Sequence, residues 1–375
     1  METLKSINIL QTGDVHFGHK RTPTHNIIQS LNQMMYVDNN LRDVDAVIIN
    51  GDLFDSLLPM PHPDALAARQ WMRNFVYQCE INNTIVISLE GTPDHDWKQG
   101  LEFTAFETTC DIRHVTELSI ERIEKLGLTI LYVPDECRAT PELVWQDVCA
   151  LLAKNNLDKV DIALVHSGFD FQYPPGLGIK SHDSSLYSGI VKYGVFANHV
   201  HTAAQLKKVY GPGSLTRLAH NEEEPKGYHK ININHETEKM IVQWIENKHA
   251  WTYKAYDVSG LSMEQIIELG RLKSIGLQDG AYVRFDFGDP VVVRSAIAQL
   301  GIELPYVIWE MKKEKRSKRE EDDIAFTKER FNSPSLTREN SVGVITDWIN
   351  RKRQVSDDTM NNVVSVLNNA IKEVG

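Results

Sequence analysis

The chain has 375 residues, enough for two or three domains, each able to bury a substantial core. Its 42% hydrophobic and 24% charged residues describe an ordinary globular protein, and no apolar run approaches the ~20 residues of a membrane span. A net charge of −11 excludes a freestanding cationic nucleic-acid binder, because phosphate contacts draw on Lys and Arg. It leaves room for a protein whose bound divalent cations, or a basic partner subunit, carry the positive charge. No basic, apolar leader opens the sequence, so no secretory signal is expected. Cys79, Cys110, Cys137 and Cys149 form no C-x-x-C pair and read as reduced thiols of a cytoplasmic protein.

The first element is the β-branched run Ile7–Thr12, which passes into Gly13-Asp14-Val15-His16. A strand continued to His16 would project Asp14 and His16 from one face, at the carboxyl end where α/β sheets carry ligands. Ile27, Ile28, Leu31, Met34, Met35 and Leu41 predict a helix over 24–41. Val44–Asn50 reads as a buried strand ending in Gly51-Asp52-Leu53-Phe54-Asp55. Leu66, Ala67, Trp71, Phe75 and Val76 mark an amphipathic helix over 63–80 that packs on the sheet and could serve a dimer. A third strand, Thr84–Leu89, ends in Glu90-Gly91-Thr92-Pro93-Asp94-His95-Asp96-Trp97. Right-handed crossovers would bring these three acidic strand ends to one sheet edge.

Farther on, Leu128–Pro134 is strand-like and 141–152 helical. Val160–Val165 leads into His166, and Tyr193–Asn198 leads into His199-Val200-His201, whose spacing lets both rings reach one face. Residues 205–247 alternate short strands and polar turns. From Trp251 a small α/β module follows, with strands near 252–258, 281–287 and 306–310 and helices near 262–272, capped by Ser262, and 291–300. It contains no histidine or cysteine, so no catalytic chemistry is expected there. Residues 312–323 are a charged, solvated run. Val342, Ile345, Trp348 and Ile349, then Met360, Val363, Val364, Leu367 and Ile371, form two helical stripes that fold back on the body or dock on a partner helix.

Asp14, His16, Asp52, Asp94, His166, His199 and His201 are thus seven candidate metal ligands. That exceeds the need of one ion and suits two, about 3.5–4 Å apart, sharing a carboxylate. Imidazole and carboxylate without thiolate favour Mn, Fe or Zn. Such a pair hydrolyses phosphoesters, and His95, beside a ligand, is the natural general acid, with Asp96 or Asp55 orienting it or a ligand histidine.

Asp14-x-His16-x-Gly18, Gly51-Asp52-x-x-Asp55, the 91–96 segment, His166 and His199-x-His201 together resemble the five blocks of the calcineurin-like metallophosphoesterases. The resemblance covers about the first 250 residues and implies a β-sandwich flanked by helices. Tyr210-Gly-Pro-Gly-Ser-Leu-Thr-Arg217 and Glu224-Pro-Lys-Gly227 resemble segments of the SbcD-type DNA double-strand-break repair nucleases. That likeness implies a nuclease domain over 1–250, a DNA-capping domain over 251–313, a linker over 314–337 and a helical segment over 338–375 that grips an SbcC-type coiled-coil ATPase. It further implies a manganese-dependent homodimer with double-strand exonuclease and single-strand endonuclease activity in DNA repair and recombination. Asp14, His16 and His201 would hold one metal, Asp52 would bridge, Asp94, His166 and His199 would hold the other, and His95 would be the acid. Two departures stand out: Asp94 replaces the family's Asn, and Asn198 stands where the family usually has glycine. Divergence and compact length suit a bacteriophage version acting in the host cytoplasm. The alternatives are a metallophosphoesterase of small phosphodiesters or phosphoproteins, and an inactive scaffold of the same fold.

Overall fold

The structure is a computed structural model that describes residues 5–312 apart from 136, 137, 175 and 177, and beyond them only 342, 346, 359, 360 and 362–366. Its strands are β1 (Ser6–Thr12), β2 (Ala46–Asn50), β3 (Ile85–Leu89), β4 (Ile112–Val115), β5 (Ser119–Ile123), β6 (Leu128–Val133), β7 (Val160–His166), β8 (Val191–Asn198), β9 (Ala204–Leu206), β10 (Val209–Gly211), β11 (Gly227–Asn234), β12 (Lys239–Glu246), β13 (Tyr253–Asp257), β14 (Tyr282–Asp286) and β15 (Ile308–Met311). The α-helices are α1 (Thr24–Asn32), α2 (Pro63–Asn82), α3 (Pro93–Asp96), α4 (Pro141–Lys154), α5 (Ser184–Gly189), α6 (Met263–Ser274) and α7 (Pro290–Glu303).

Among the described residues these strands make two six-stranded sheets, ordered β12-β11-β1-β2-β3-β4 and β5-β6-β7-β8-β10-β9, and a three-stranded sheet, β13-β14-β15. Strands β1 to β4 run parallel, with β11 antiparallel on β1 and β12 antiparallel on β11. In the second sheet β6, β7 and β8 are parallel. Side-chain alternation explains the layering. Ala46 and Ile48 of β2 join Ile7, Ile9, Ile87, Ile130, Ile162 and Leu164 in a core between the two large sheets. Val47 and Ile49, pointing the other way, pack with Ile27 and Leu31 of α1 and Trp71 and Phe75 of α2. On the far side, Ala163 and Val165 meet Val144 and Val148 of α4 and Tyr187 of α5. The result is a mixed α/β fold: two mixed sheets face to face, with helices on both outer surfaces.

The expected helix over 24–41 is shorter. It is α-helical to Asn32 and closes in a π-helical turn over Gln33–Val37. Asn39 ends it by donating its side-chain amide to the Met34 carbonyl at 2.7 Å. The module from Trp251 packs α6 and α7 on β13-β14-β15 around Ile266, Val283, Phe285, Val293 and Leu300. Ser262 caps α6 in a reciprocal box with Gln265 (3.3 and 2.9 Å).

Compact units are Met1–Lys312 and Lys313–Gly375, so the module belongs to the first. In the second, Val342, Thr346, Thr359, Met360 and 362–366 are helical. The expected linker over 314–337 lies outside the described residues, as do most of 338–375 and Cys137. Among the described residues no helix is long and apolar enough to cross a membrane.

Candidate metal centre

The site lies where β1, β2, β3, β7 and β8 end. Asp14 and His16 do not converge by strand alternation, since β1 stops at Thr12. Instead Asp14 (φ 48°), His16 (φ 57°) and Asp52 (φ 49°) all adopt left-handed backbone. Such conformations cost about 1–3 kcal/mol each in non-glycine residues and persist only where surroundings impose them. Here the two loops impose them on each other: Asp14 N donates to Gly51 O, Val15 N and His16 N to Asp52 O, and Phe17 N to Leu53 O, at 2.8–3.0 Å.

Three groups of side chains have ligand atoms mutually within 4.8 Å: Asp14, His16 and His201; His16, Asp52 and His95; and Asp52, His166 and His199. In the first, His16 Nε2 and His201 Nε2 face each other at 3.3 Å. His201 Nδ1 is 2.8 Å from Glu222 Oε1, so its proton lies on that side. His16 Nδ1 faces Asp55 Oδ1 at 3.4 Å. Each imidazole thus has a carboxylate facing its Nδ1 and turns its Nε2 toward the other, which is how imidazoles backed by carboxylates present themselves to a cation.

The group of Asp52, His166 and His199 sets imidazoles against carboxylates. His166 is wholly buried, and its Nδ1 donates to Asn50 O at 2.8 Å. Its Nε2, without a hydrogen-bond partner among the described residues, faces Asp52 Oδ1 at 3.3 Å and Asp14 Oδ1 at 4.0 Å. Burial opposes charging His166, yet Asp52 and Asp14 outweigh it and hold the ring up at about 10. Burial likewise opposes charge on Asp52, but His166, His95 and His16 hold that carboxyl well below the usual range. The pocket therefore demands positive charge. His199 has its backbone N–H on Asp14 Oδ1 at 3.0 Å, and its buried Nδ1 has no hydrogen-bond partner among the described residues.

Asp52 belongs to two of the three groups, with His16 and His95 and with His166 and His199, and its Oδ2 lies 3.8 Å from His16 Nε2. Thr92 N donates to its Oδ1 at 2.6 Å, and His95 Nδ1 lies 3.0 Å from its Oδ2. That bond leaves His95 Nε2 for the outside, and the ring is 37% exposed. The hydrogen bond to Asp52, against partial burial, raises the His95 pKa.

Not every expected residue takes its expected place. Asp94, expected as a ligand, is exposed and belongs to none of the three groups formed among the described residues; its carbonyl accepts from Trp97 Nε1 at 2.8 Å. Asp96 accepts from Phe54 N (2.9 Å) and Gly91 N (2.7 Å), clamping two site loops together. His201 groups with Asp14 and His16, and His199 with Asp52 and His166, the division stated above for the two ions. Several contributors carried no motif. Asn198 donates to Asp14 Oδ2 at 2.9 Å and accepts from Gln11 Nε2 at 2.6 Å. Glu222 backs His201 and pairs with Lys226 at 3.2 Å, and that lysine is almost wholly buried. The chemistry of this donor set, nitrogen and oxygen with orphaned buried imidazole nitrogens, fits divalent transition metal ions.

No protein-family model matches the chain, and no curated protein matches it. Among solved structures it is similar to GAP50, the anchor in the inner membrane complex of Plasmodium, at 12% identity and TM-score 0.40, over 65% of this chain and 86% of that one. A second solved structure matches at 13% identity and TM-score 0.35, over 64% of this chain and 99% of that one. Likenesses this distant carry no functional argument.

Proposed function

We propose that this chain is a metal-dependent phosphodiesterase acting on DNA, a manganese nuclease with exonuclease and endonuclease activity that works as a homodimer with a coiled-coil ATPase bound through 338–375. The observation that carries the reading is Asp52, grouped with His16 and His95 on one side and with His166 and His199 on the other. Asp14, His16 and His201 would hold one ion and His166 and His199 the other, with Asp52 common to both. Two divalent ions so held supply Lewis acidity and charge for the phosphoryl group.

The chain's own residues do the rest. Asp52 accepts from His95 Nδ1 and fixes the ring, leaving Nε2–H of the charged imidazole to protonate the departing alkoxide. Glu222 and the Asn50 carbonyl fix the tautomers of His201 and His166. A polymeric substrate is favoured by the module pinned beside the site. Tyr253 OH meets Thr22 at 3.0 Å, and Glu310 meets His220 at 2.9 Å and Arg21 at 3.3 Å, just beyond the loop carrying His16. Motif order and spacing support DNA over a small phosphodiester.

The test is degradation of linear duplex and single-stranded DNA with Mn²⁺, beside a panel of cyclic nucleotides and a chromogenic phosphodiester. His95→Ala is expected to reduce DNA cleavage by about 10²–10⁴-fold, the usual contribution of a general acid, without loss of fold. Undiminished cleavage by that variant would defeat the assignment.

A further inference from the structure

The group formed by Asp52, His166 and His199 has three protein donors, and Asp94 does not supply a fourth. Another carboxylate, likewise outside the three groups, stands beside His199. Asp135 follows β6, and β6 lies beside β7 in the sheet whose strand ends carry His166 and His199. Its side chain is only 11% exposed, and its Oδ2 is 3.8 Å from His199 Nδ1. That separation is too long for a hydrogen bond, so His199 Nδ1 and Asp135 Oδ2 face each other without satisfying each other.

Thr92 provides an independent observation. Its hydroxyl sits between two carboxylates, 3.3 Å from Asp52 Oδ2 and 3.2 Å from Asp135 Oδ2. One hydroxyl has one proton, so it can serve only one of them at a time. Asp52 has the imidazoles of His166 and His95 against it, whereas Asp135 shares the threonine hydroxyl and faces an imidazole nitrogen that has no hydrogen-bond partner among the described residues. The loop that carries Thr92 spends its backbone N–H on Asp52, not on a ligand side chain of its own.

We infer that Asp135 is the fourth protein donor to the ion held by Asp52, His166 and His199, taking the place the sequence pattern assigns to Asp94. The inference rests on the two-ion reading above. It moves the acidic donor from the sheet containing β3 to the sheet containing β6, so that His166, His199 and Asp135 all come from one sheet and Asp52 alone reaches across.

Calorimetric titration of the full chain with Mn²⁺ separates the two claims. The parent is expected to bind two ions. Asp135→Ala should weaken one of them by at least about tenfold, Asp135→Asn should weaken it less because an oxygen donor remains, and Asp94→Ala should bind as the parent does. Asp135→Cys loaded with Co²⁺ should show a thiolate-to-metal charge-transfer band that the parent and Asp94→Cys lack. Melting in chelator, with each variant folded as the parent is, verifies that affinity and not folding has changed; should Asp135→Ala fail this control, the Asn and Cys variants decide. A parent that binds fewer than two ions overturns the two-ion reading itself. A parent that binds two, with undiminished affinity in Asp135→Ala or Asp135→Asn or no band in Asp135→Cys, overturns only the assignment of Asp135.

Discussion

Gly51→Ala tests the centre through the backbone rather than through a ligand. Gly51 has φ +85°, and a Cβ there would meet His166 Nδ1 at 2.0 Å and Cγ at 2.4 Å. Restoring the ~3.5 Å of an ordinary contact drives the ring back by roughly 1.5 Å. His166 is wholly buried and bonded to the Asn50 carbonyl at 2.8 Å, so retreat breaks that bond. An unsatisfied buried group costs about 1–3 kcal/mol, and the left-handed backbone adds about 1–2 kcal/mol for a residue with a Cβ. Gly276→Ala is the matched control: its φ is +78° but nothing lies within 4 Å of the new carbon. Denaturant melts in chelator should therefore show Gly51→Ala less stable than Gly276→Ala by about 1–3 kcal/mol. Metal–ligand distances tolerate only about 0.2 Å, so calorimetry should show one Mn²⁺ lost in Gly51→Ala and none in Gly276→Ala. Equal stability and equal metal content in the two variants would refute both the contact and the role of His166.

Glu222→Gln removes the carboxylate from His201 Nδ1 and one of the two carboxylates around buried Lys226. It should weaken one Mn²⁺ by about 10–100-fold in calorimetry, as loss of a ligand's orienting partner does. Saturating Mn²⁺ at about 100 times its dissociation constant should stabilise the fold by about 2.7 kcal/mol per site, read as a rise in melting temperature over chelator. Burial holds His229 down at about 4 in the fold, whereas an unfolded imidazole titrates near 6.5. Protons therefore bind the unfolded chain first: this contribution is full above pH 6.5 and is lost as pH falls toward 4, by up to about 3 kcal/mol. Urea melts across that range should flatten for His229→Gln, and an unchanged slope would count against the burial argument.

Much of the architecture was legible because short, near-continuous apolar runs and their turns are local signals. The strands ending at Asn50, Leu89 and His166 announced themselves, as did the capped helix after Ser262. Strands β4 and β5 did not, because Arg113, Glu121 and Arg122 interrupt them with charge; Arg113 and Glu121 then pair across the gap at 2.8 Å, which no local pattern reveals. The helix over 24–41 was read too long because its end depends on Asn39, which also meets Tyr228 of β11 at 2.9 Å.

The sequence by itself determined which strand ends carry acid and imidazole, and hence that a nitrogen–oxygen site at one sheet edge was to be expected. Connectivity forces that result, since parallel strands place their carboxyl ends together. Only the tertiary structure decided which atoms face one another. Left-handed turns at Asp14, His16 and Asp52 aim those side chains, and the short helix at 93–96 leaves Asp94 in solvent. Two sheets brought face to face put Asp135, which stands beside His199 in its own sheet, against Thr92 of the other. A motif records the order of residues along the chain. Ligand geometry depends on rotations about single bonds and on contacts across more than a hundred residues, as between Asn50 and His166.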